Sequence, residues 1–215
     1  MQKKVEKKIV STAKKMQTKS DPSHDYEHVT RVLNLTKIIG EEVKADLDIL
    51  IPAALFHDIV VYKKNSKKSY FETDKSAKIT SIILKKIKGY PVEKIDKVVA
   101  CIRECSFAKN IKPSSLESMV LQDADHLEVT GAISIMRTFS SCGVMNTPFY
   151  AKSDPLSDKG AVDFRSGIDL FYKRLLIVEE RMHTERAKTM VKNRTAFLKV
   201  FLEQLRTELT EDKIL

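Results

Sequence analysis

The stretch Asp25-Tyr26-Glu27-His28-Val29-Thr30-Arg31-Val32-Leu33-Asn34-Leu35-Thr36-Lys37-Ile38-Ile39 carries its apolar residues in a helical rhythm. His28, Val32, Leu35 and Ile39 follow one another at steps of four, three and four, which places them on one helical face. Working outward from this helix, which spans about Asp25 to Val43, the same rhythm recurs in both directions. A first helix is expected over about residues 2–18, with Val5, Ile9 and Ala13 on one side. Asp21-Pro22-Ser23 breaks it, and proline suits the first turn of the helix that follows. A third helix reaches His57 on an apolar face of Leu47, Leu50, Ile51, Ala54 and Leu55. Pro52, which lacks an N–H, should kink this helix or sit in its first turn.

Residues 61–75 are polar and lysine-rich and read as a loop or lid. A helix then runs to about Lys88, where Gly89-Tyr90-Pro91 stops it. The next carries Ile95, Val98, Val99 and Ile102. Asn110 to Pro113 is a loop, and a helix starting near Ser114 or Ser115 extends past Leu127. Residues 141–160 contain glycine and proline breaks and read as a second surface loop. The stretch from about 163 to 208 is long, charged and helical, joining the same core through Leu170, Leu175, Ile177 and Phe197. No segment alternates as a strand would, so the fold class is all-α. The expected organisation is one helical bundle over 1–215, with its motif core at about 20–140 and the helices of about 163–208 packed on it.

Composition narrows the function classes. The chain has 215 residues, 42% of them hydrophobic and 31% charged, which fits one folded domain rather than a disordered or membrane-spanning chain. The longest apolar run, Ile49 to Phe56, contains Pro52 and falls far short of the ~18 residues of a membrane span. Lys3, Lys4, Lys7 and Lys8 are not followed by an apolar core, so no secretory signal is expected. The three cysteines, Cys101, Cys105 and Cys142, lack Cys-x-x-Cys spacing, as expected of a reduced, cytoplasmic protein. Lys+Arg minus Asp+Glu is 38 − 29 = +9, a balance that attracts nucleotides, nucleic acid or acidic surfaces. A solvated lysine-rich surface gives the same sum.

Several residues can carry chemistry. His28 faces the core, where a histidine is usually structural and less often a ligand. His57-Asp58 ends an almost wholly apolar helix, and aspartate is rarely buried unless paired or metal-bound. Asp123-Ala124-Asp125 puts two carboxylates among Val120, Leu121 and Leu127, an arrangement that favours a cation. The two carboxylates point to different sides, and periodicity alone does not choose between them. Two imidazoles and two carboxylates without thiolate suit Mn²⁺, Fe²⁺, Ni²⁺ or Co²⁺, and Mg²⁺ less well. His24 either orients a ligand or touches phosphate, or it caps the helix start. Lys63, Lys64, Lys67 and Lys68 follow His57-Asp58 closely. They form a solvated loop or, given that position, a polyphosphate-binding cluster. Arg137 has a weaker claim of the same kind.

These residues resemble a known family, the HD-domain metal-dependent phosphohydrolases. The pattern is His28-Val29-Thr30-Arg31-Val32, then the tandem His57-Asp58, then Ala124-Asp125. The chain is most similar to the YedJ/YpgQ-like subgroup. The stretches that carry this likeness are Ser23-His24-Asp25-Tyr26-Glu27-His28, Ala53-Ala54-Leu55-Phe56-His57-Asp58-Ile59, Gln122-Asp123-Ala124-Asp125-His126-Leu127, Gly131 to Phe139, and Met182-His183-Thr184-Glu185. The likeness covers about residues 20–210. It departs from the subgroup at Cys105, which stands before Ser106-Phe107 where a histidine is usual, and at Asp125-His126-Leu127-Glu128, where Asp-Arg-Leu-Asp is usual. Cys105 reads as a small buried filler, or as a ligand for a soft metal.

The resemblance implies an HD-domain bundle with a metal held by His28, His57, Asp58 and Asp125, the last chosen by the Ala-Asp pattern. It implies metal-dependent hydrolysis of a phosphate ester or anhydride, with nucleoside triphosphates cleaved to monophosphate and pyrophosphate as the favoured version. Metal-bound water attacks, Asp58 positions it, and Asp123 or His24 assists proton transfer. Lys63, Lys64 and Arg137 contact the substrate. Manganese heads the candidate metals. A nucleoside monophosphate phosphatase or a hydrolase of a signalling nucleotide is the rival enzyme. A nucleic-acid-binding module on an inactive fold is the rival of another class. No membrane partner is expected.

Overall fold

The computed structural model describes residues 1–16, 25–62, 66–158, 160 and 165–211. Among these residues the fold is all-α, and no helix is long and apolar enough to cross a membrane. The chain forms two compact units, Met1–Asp125 and His126–Leu215.

In the first unit, α1 (Lys3–Met16) buries Val5, Ile9 and Ala13 as its spacing demands. Helix α2 (Tyr26–Glu42) begins one residue after Asp25, whose carboxylate caps it by accepting the His28 N–H at 2.9 Å. Its buried face contains His28, Val32, Leu35 and Ile39, the stripe read from the sequence. The expected break at Asp21-Pro22-Ser23 and the position of His24 lie outside the described residues.

Helix α3 (Leu47–Phe56) is the centre of this unit, with every residue from Ile49 to Phe56 buried. It packs against α1, α2 and α5. Gly40 lets α2 come close to α3, because a Cβ there would stand 2.7 Å from Leu50 Cδ1. Pro52 lies inside α3 as its sixth residue, not in the first turn. A residue there would normally donate to the carbonyl four residues back, that of Asp48. The Tyr90 hydroxyl donates to that carbonyl instead, at 2.8 Å. Burial, reinforced by the Asp48 and Asp46 charges, pushes the Tyr90 phenol up, so it stays a donor at any working pH.

The polar segment 61–75 is shorter as a loop than the sequence suggests. Ser66 caps a 3₁₀ turn at Lys67–Phe71, and α4 (Glu72–Lys86) starts directly after it. Glu72 and Asp74 in its first turn favour that start electrostatically. The helix ends at Lys86, two residues short of the expected Lys88, because Ile87 is already extended; Gly89 follows in the turn with φ +90°. A 3₁₀ turn, Val92–Lys94, leads into α5 (Ile95–Glu104), and α6 (Leu116–Leu127) closes the unit's chain. Ser115 accepts the Ser118 N–H at the start of α6. The helix stops at Leu127 rather than continuing past it.

The second unit corrects two expectations. Helix α7 (Gly131–Met145) runs into the supposed loop at 141–160 and ends at Asn146, which adopts φ +52°. Within that loop Asp154, Leu156 and Ser157 are buried, so it is no simple surface excursion. The C-terminal stretch is also interrupted. A four-residue α8 (Gly167–Leu170) passes into a π-helical turn at Phe171–Leu175 and a 3₁₀ turn at Val178–Arg181. The chain is extended at Met182, and α9 (Glu185–Glu211) follows. Thr184 causes the restart, since its hydroxyl accepts the Ala187 N–H at 3.3 Å. Ile168, Phe171, Leu175, Leu198 and Leu202 form the core here, with Leu170 packed against it. Phe197 is 48% exposed and not part of it.

Candidate metal centre

Local structure aims each side chain. The Asp25 cap sets the first turn of α2 and so the direction of His28, which is wholly buried. His57 follows the last residue of α3 and still holds helical backbone angles. Its Nδ1 lies 2.7 Å from the Ala54 carbonyl, which can only accept. Nδ1 therefore carries the proton and Nε2 presents a bare lone pair, the tautomer that metal-binding histidines adopt.

Asp58 comes one residue later, where the helix has ended. The segment beyond it is tied to α4: the Val60 N–H donates to Ser76 Oγ at 3.2 Å and the Tyr62 N–H to Glu72 Oε1 at 2.6 Å. Asp125 comes from α6. That helix is held against the end of α5 by Gln122, whose amide donates to the Glu104 carbonyl at 2.7 Å and the Ile111 carbonyl at 3.0 Å.

These elements bring four side chains to one point. His28 Nε2 and His57 Nε2 are 3.4 Å apart. Asp58 Oδ2 lies 3.5 Å from each of them. Asp125 Oδ1 lies 3.6 Å from His28 Nε2 and 3.8 Å from His57 Nε2. The donor atoms of His28, His57 and Asp125 all lie within 4.8 Å of one another, and Asp58 Oδ2 stands 3.5 Å from each imidazole nitrogen.

The residues fit a divalent ion. Donors about 2.1 Å from a common ion stand about 3.0 Å apart at right angles and about 3.4 Å apart at the tetrahedral angle, close to the spacings here. Two nitrogen and two carboxylate donors match an intermediate transition metal better than a thiolate-loving one. The imidazoles are 1% and 2% exposed but both carboxylates 21%, so the centre opens to solvent on its carboxylate side. That asymmetry leaves room for water and a substrate anion.

Asp123 is fully buried on α6 and is not in the donor trio. Lys63, Lys64 and His24 lie outside the described residues, while Lys67 and Lys68 are exposed on the 3₁₀ turn. Arg137 belongs to the second unit, where its guanidinium donates to the Glu128 carbonyl at 3.2 Å.

Cys105 does more than the filler its sequence position suggests. It is indeed buried, but it is not inert filler: Sγ lies 3.8 Å from Asp125 Oδ2. Burial pushes its thiol well above the ordinary range, and the Asp125 and Asp58 charges push the same way. In this contact the thiol donates to the carboxylate oxygen. No local pattern reveals this, because Cys105 and Asp125 are on different helices.

Residues 25–130 match the family model of the HD domain. The Bacillus subtilis protein YpgQ is 30% identical over 196 residues, covering 89% of this chain and 87% of YpgQ. The crystal structure of YpgQ in complex with ADP superimposes with a TM-score of 0.72 at 26% identity, covering 95% of each chain. An HD-superfamily hydrolase from Bacillus thuringiensis superimposes with a TM-score of 0.73 at 26% identity, covering 96% of this chain and 97% of the other.

Proposed function

This chain belongs to the HD-domain family of metal-dependent phosphohydrolases, and we propose that its substrate is a nucleoside triphosphate, cleaved to monophosphate and pyrophosphate. The observation that carries the reading is the convergence of His28, His57, Asp58 and Asp125, two carboxylates of which face solvent. The ADP held by YpgQ supports a nucleotide as the ligand class.

In this reading the four side chains hold one ion, with Mn²⁺, Fe²⁺, Ni²⁺ or Co²⁺ preferred over Mg²⁺. When bound, the ion supplies Lewis acidity that activates water and offsets phosphoryl charge. His57 keeps its proton on Nδ1, bonded to Ala54, so that Nε2 remains a donor to the ion. Asp58, one-fifth exposed, has a second oxygen with which to orient the attacking water and accept its proton. Asp123 or His24 passes that proton on. The water oxygen bonds to the α-phosphorus as the bond from that phosphorus to the bridging oxygen breaks, and pyrophosphate leaves with the electron pair. Lys63 and Lys64, which follow Asp58 by five and six residues, neutralise the departing polyphosphate.

The test is a panel of nucleoside tri-, di- and monophosphates incubated with the Mn²⁺-reconstituted protein, with pyrophosphate and orthophosphate separated by ion exchange. Triphosphates should give pyrophosphate in step with monophosphate. EDTA should stop the reaction, and added Mn²⁺ should restore it. Orthophosphate release from monophosphates, with no pyrophosphate from triphosphates, would replace this reading with that of a monophosphate phosphatase.

A further inference from the structure

We propose that Cys105 is a positioning residue: its thiol holds the Asp125 carboxylate in the rotation that presents Oδ1 to His28 and His57. The proposal rests on the metal-centre reading above. The two oxygens of Asp125 have separate neighbours. Oδ1 stands 3.6 and 3.8 Å from the two imidazole nitrogens, and Oδ2 stands 3.8 Å from Cys105 Sγ. A carboxylate turns easily about its last bond, whose torsional preference is broad. A donor on one oxygen fixes the plane and therefore the other oxygen.

A thiol is a weak donor, and a long sulfur–oxygen contact is a modest bond. Its effect here comes from where it is made. Cys105 is 2% exposed, so water has little access to compete for Oδ2 from that side. Its backbone is also firmly placed. Gln122 on α6 grips the carbonyls of Glu104 and Ile111, which brackets Cys105 from both sides. The α5–α6 seam thus delivers the Cys105 sulfur to Asp125 with little slack.

Cys101 is a matched control, a buried thiol on the same seam that bonds Ser118 and not a metal-centre side chain. Its thiol is pushed up to about 11, chiefly by burial.

The experiment measures Co²⁺ binding to the full chain by calorimetry and by the visible d–d spectrum of the bound ion, with circular dichroism as the check on folding. Cys105→Ala should bind Co²⁺ about 10- to 100-fold more weakly than the wild type and shift the spectrum, the usual result of losing a partner of a ligating group. Cys105→Ser keeps a hydrogen-bond donor and should recover most of that loss. It also serves as the probe if Cys105→Ala does not fold. Cys101→Ala should leave affinity and spectrum unchanged. Wild-type binding by Cys105→Ala overturns the proposal, as does a folded Cys105→Ser that binds as weakly as Cys105→Ala. His57→Ala separates the two levels. Its loss of Co²⁺ upholds the centre whatever Cys105 does, and wild-type binding by His57→Ala overturns the centre itself.

Discussion

Tyr90→Phe removes a single oxygen, and its cost follows from the position of Pro52. In an unbroken helix the residue at 52 would donate to the Asp48 carbonyl. Proline has no N–H, and Tyr90 Oη supplies the missing donor at 2.8 Å. Tyr90 is 4% exposed while Asp48 is half-buried, so water reaches the orphaned carbonyl only in part. Leaving a buried acceptor unpaired costs about 1–3 kcal/mol, and the partial access places this one near about 1–2 kcal/mol. Pro52→Ala returns an N–H to the helix. In that background Tyr90→Phe should cost about 1 kcal/mol less, because the carbonyl then has a partner within α3. Urea unfolding followed by circular dichroism, with the m-value held constant, measures all four proteins of the cycle. Metal affinity should not change in Tyr90→Phe, since the Ala54 carbonyl and His57 lie beyond the proline and keep their own bond. An equal cost of Tyr90→Phe with and without Pro52 would refute the argument, as would no measurable cost at all.

Other outcomes follow from the same structure. Asp125→Asn should lose metal more completely than Asp123→Asn. The two side chains point about 200° apart on one helix, and Asp125 Oδ1 stands 3.6 Å from His28 Nε2 in the donor trio. Excess metal should partly rescue Asp123→Asn, and a metal titration showing the reverse order would exchange their roles. Neutralising Lys63 and Lys64 should raise KM for a triphosphate more than for a monophosphate, and equal kinetics would leave them as ordinary solvated charges. Asp169→Asn should destabilise the protein by about 1–3 kcal/mol, since the buried carboxylate accepts from Ser157 Oγ and from the N–H groups of Arg165 and Ser166. Burial pushes the Asp169 carboxyl up, but hydrogen bonds from Ser157 and Arg165 outweigh it and hold it below its ordinary value. A depressed carboxylate stabilises the fold above its unfolded pKa, and that contribution is lost as pH falls through the folded one. The difference in melting temperature between wild type and Asp169→Asn should therefore shrink on acidification below the usual carboxylate range.

Local order along the chain determined a large part of this protein. The helical class, the stripe of α2 with His28 in it, the buried run of α3 and the tandem His57-Asp58 at its end are all consequences of residue spacing within about 15 positions, the length over which helical period is expressed. Capping is equally local, as Asp25 shows. Its effects were harder to foresee at Thr184 and Ser66, where single hydroxyls end one element and begin another inside segments of otherwise uniform composition. Phe197 illustrates a further limit. An aromatic residue on a long charged helix reads as core by type, yet helix rotation leaves it at the surface.

What only the tertiary structure decided is how residues far apart in sequence are turned toward one another. Spacing could not choose between Asp123 and Asp125 as the carboxylate beside the imidazoles. That depends on the rotation of α6, which Gln122 sets by gripping two carbonyls contributed by α5 and the loop after it. The same rotation makes Cys105 a neighbour of Asp125 rather than a filler. Pro52 could be read as a kink or a first-turn residue, but not as a vacancy filled by Tyr90, which lies 38 positions later. In each case the deciding interaction is a hydrogen bond between separate elements. Periodicity carries no signal for such bonds, because it records which face a residue occupies and not which partner that face meets.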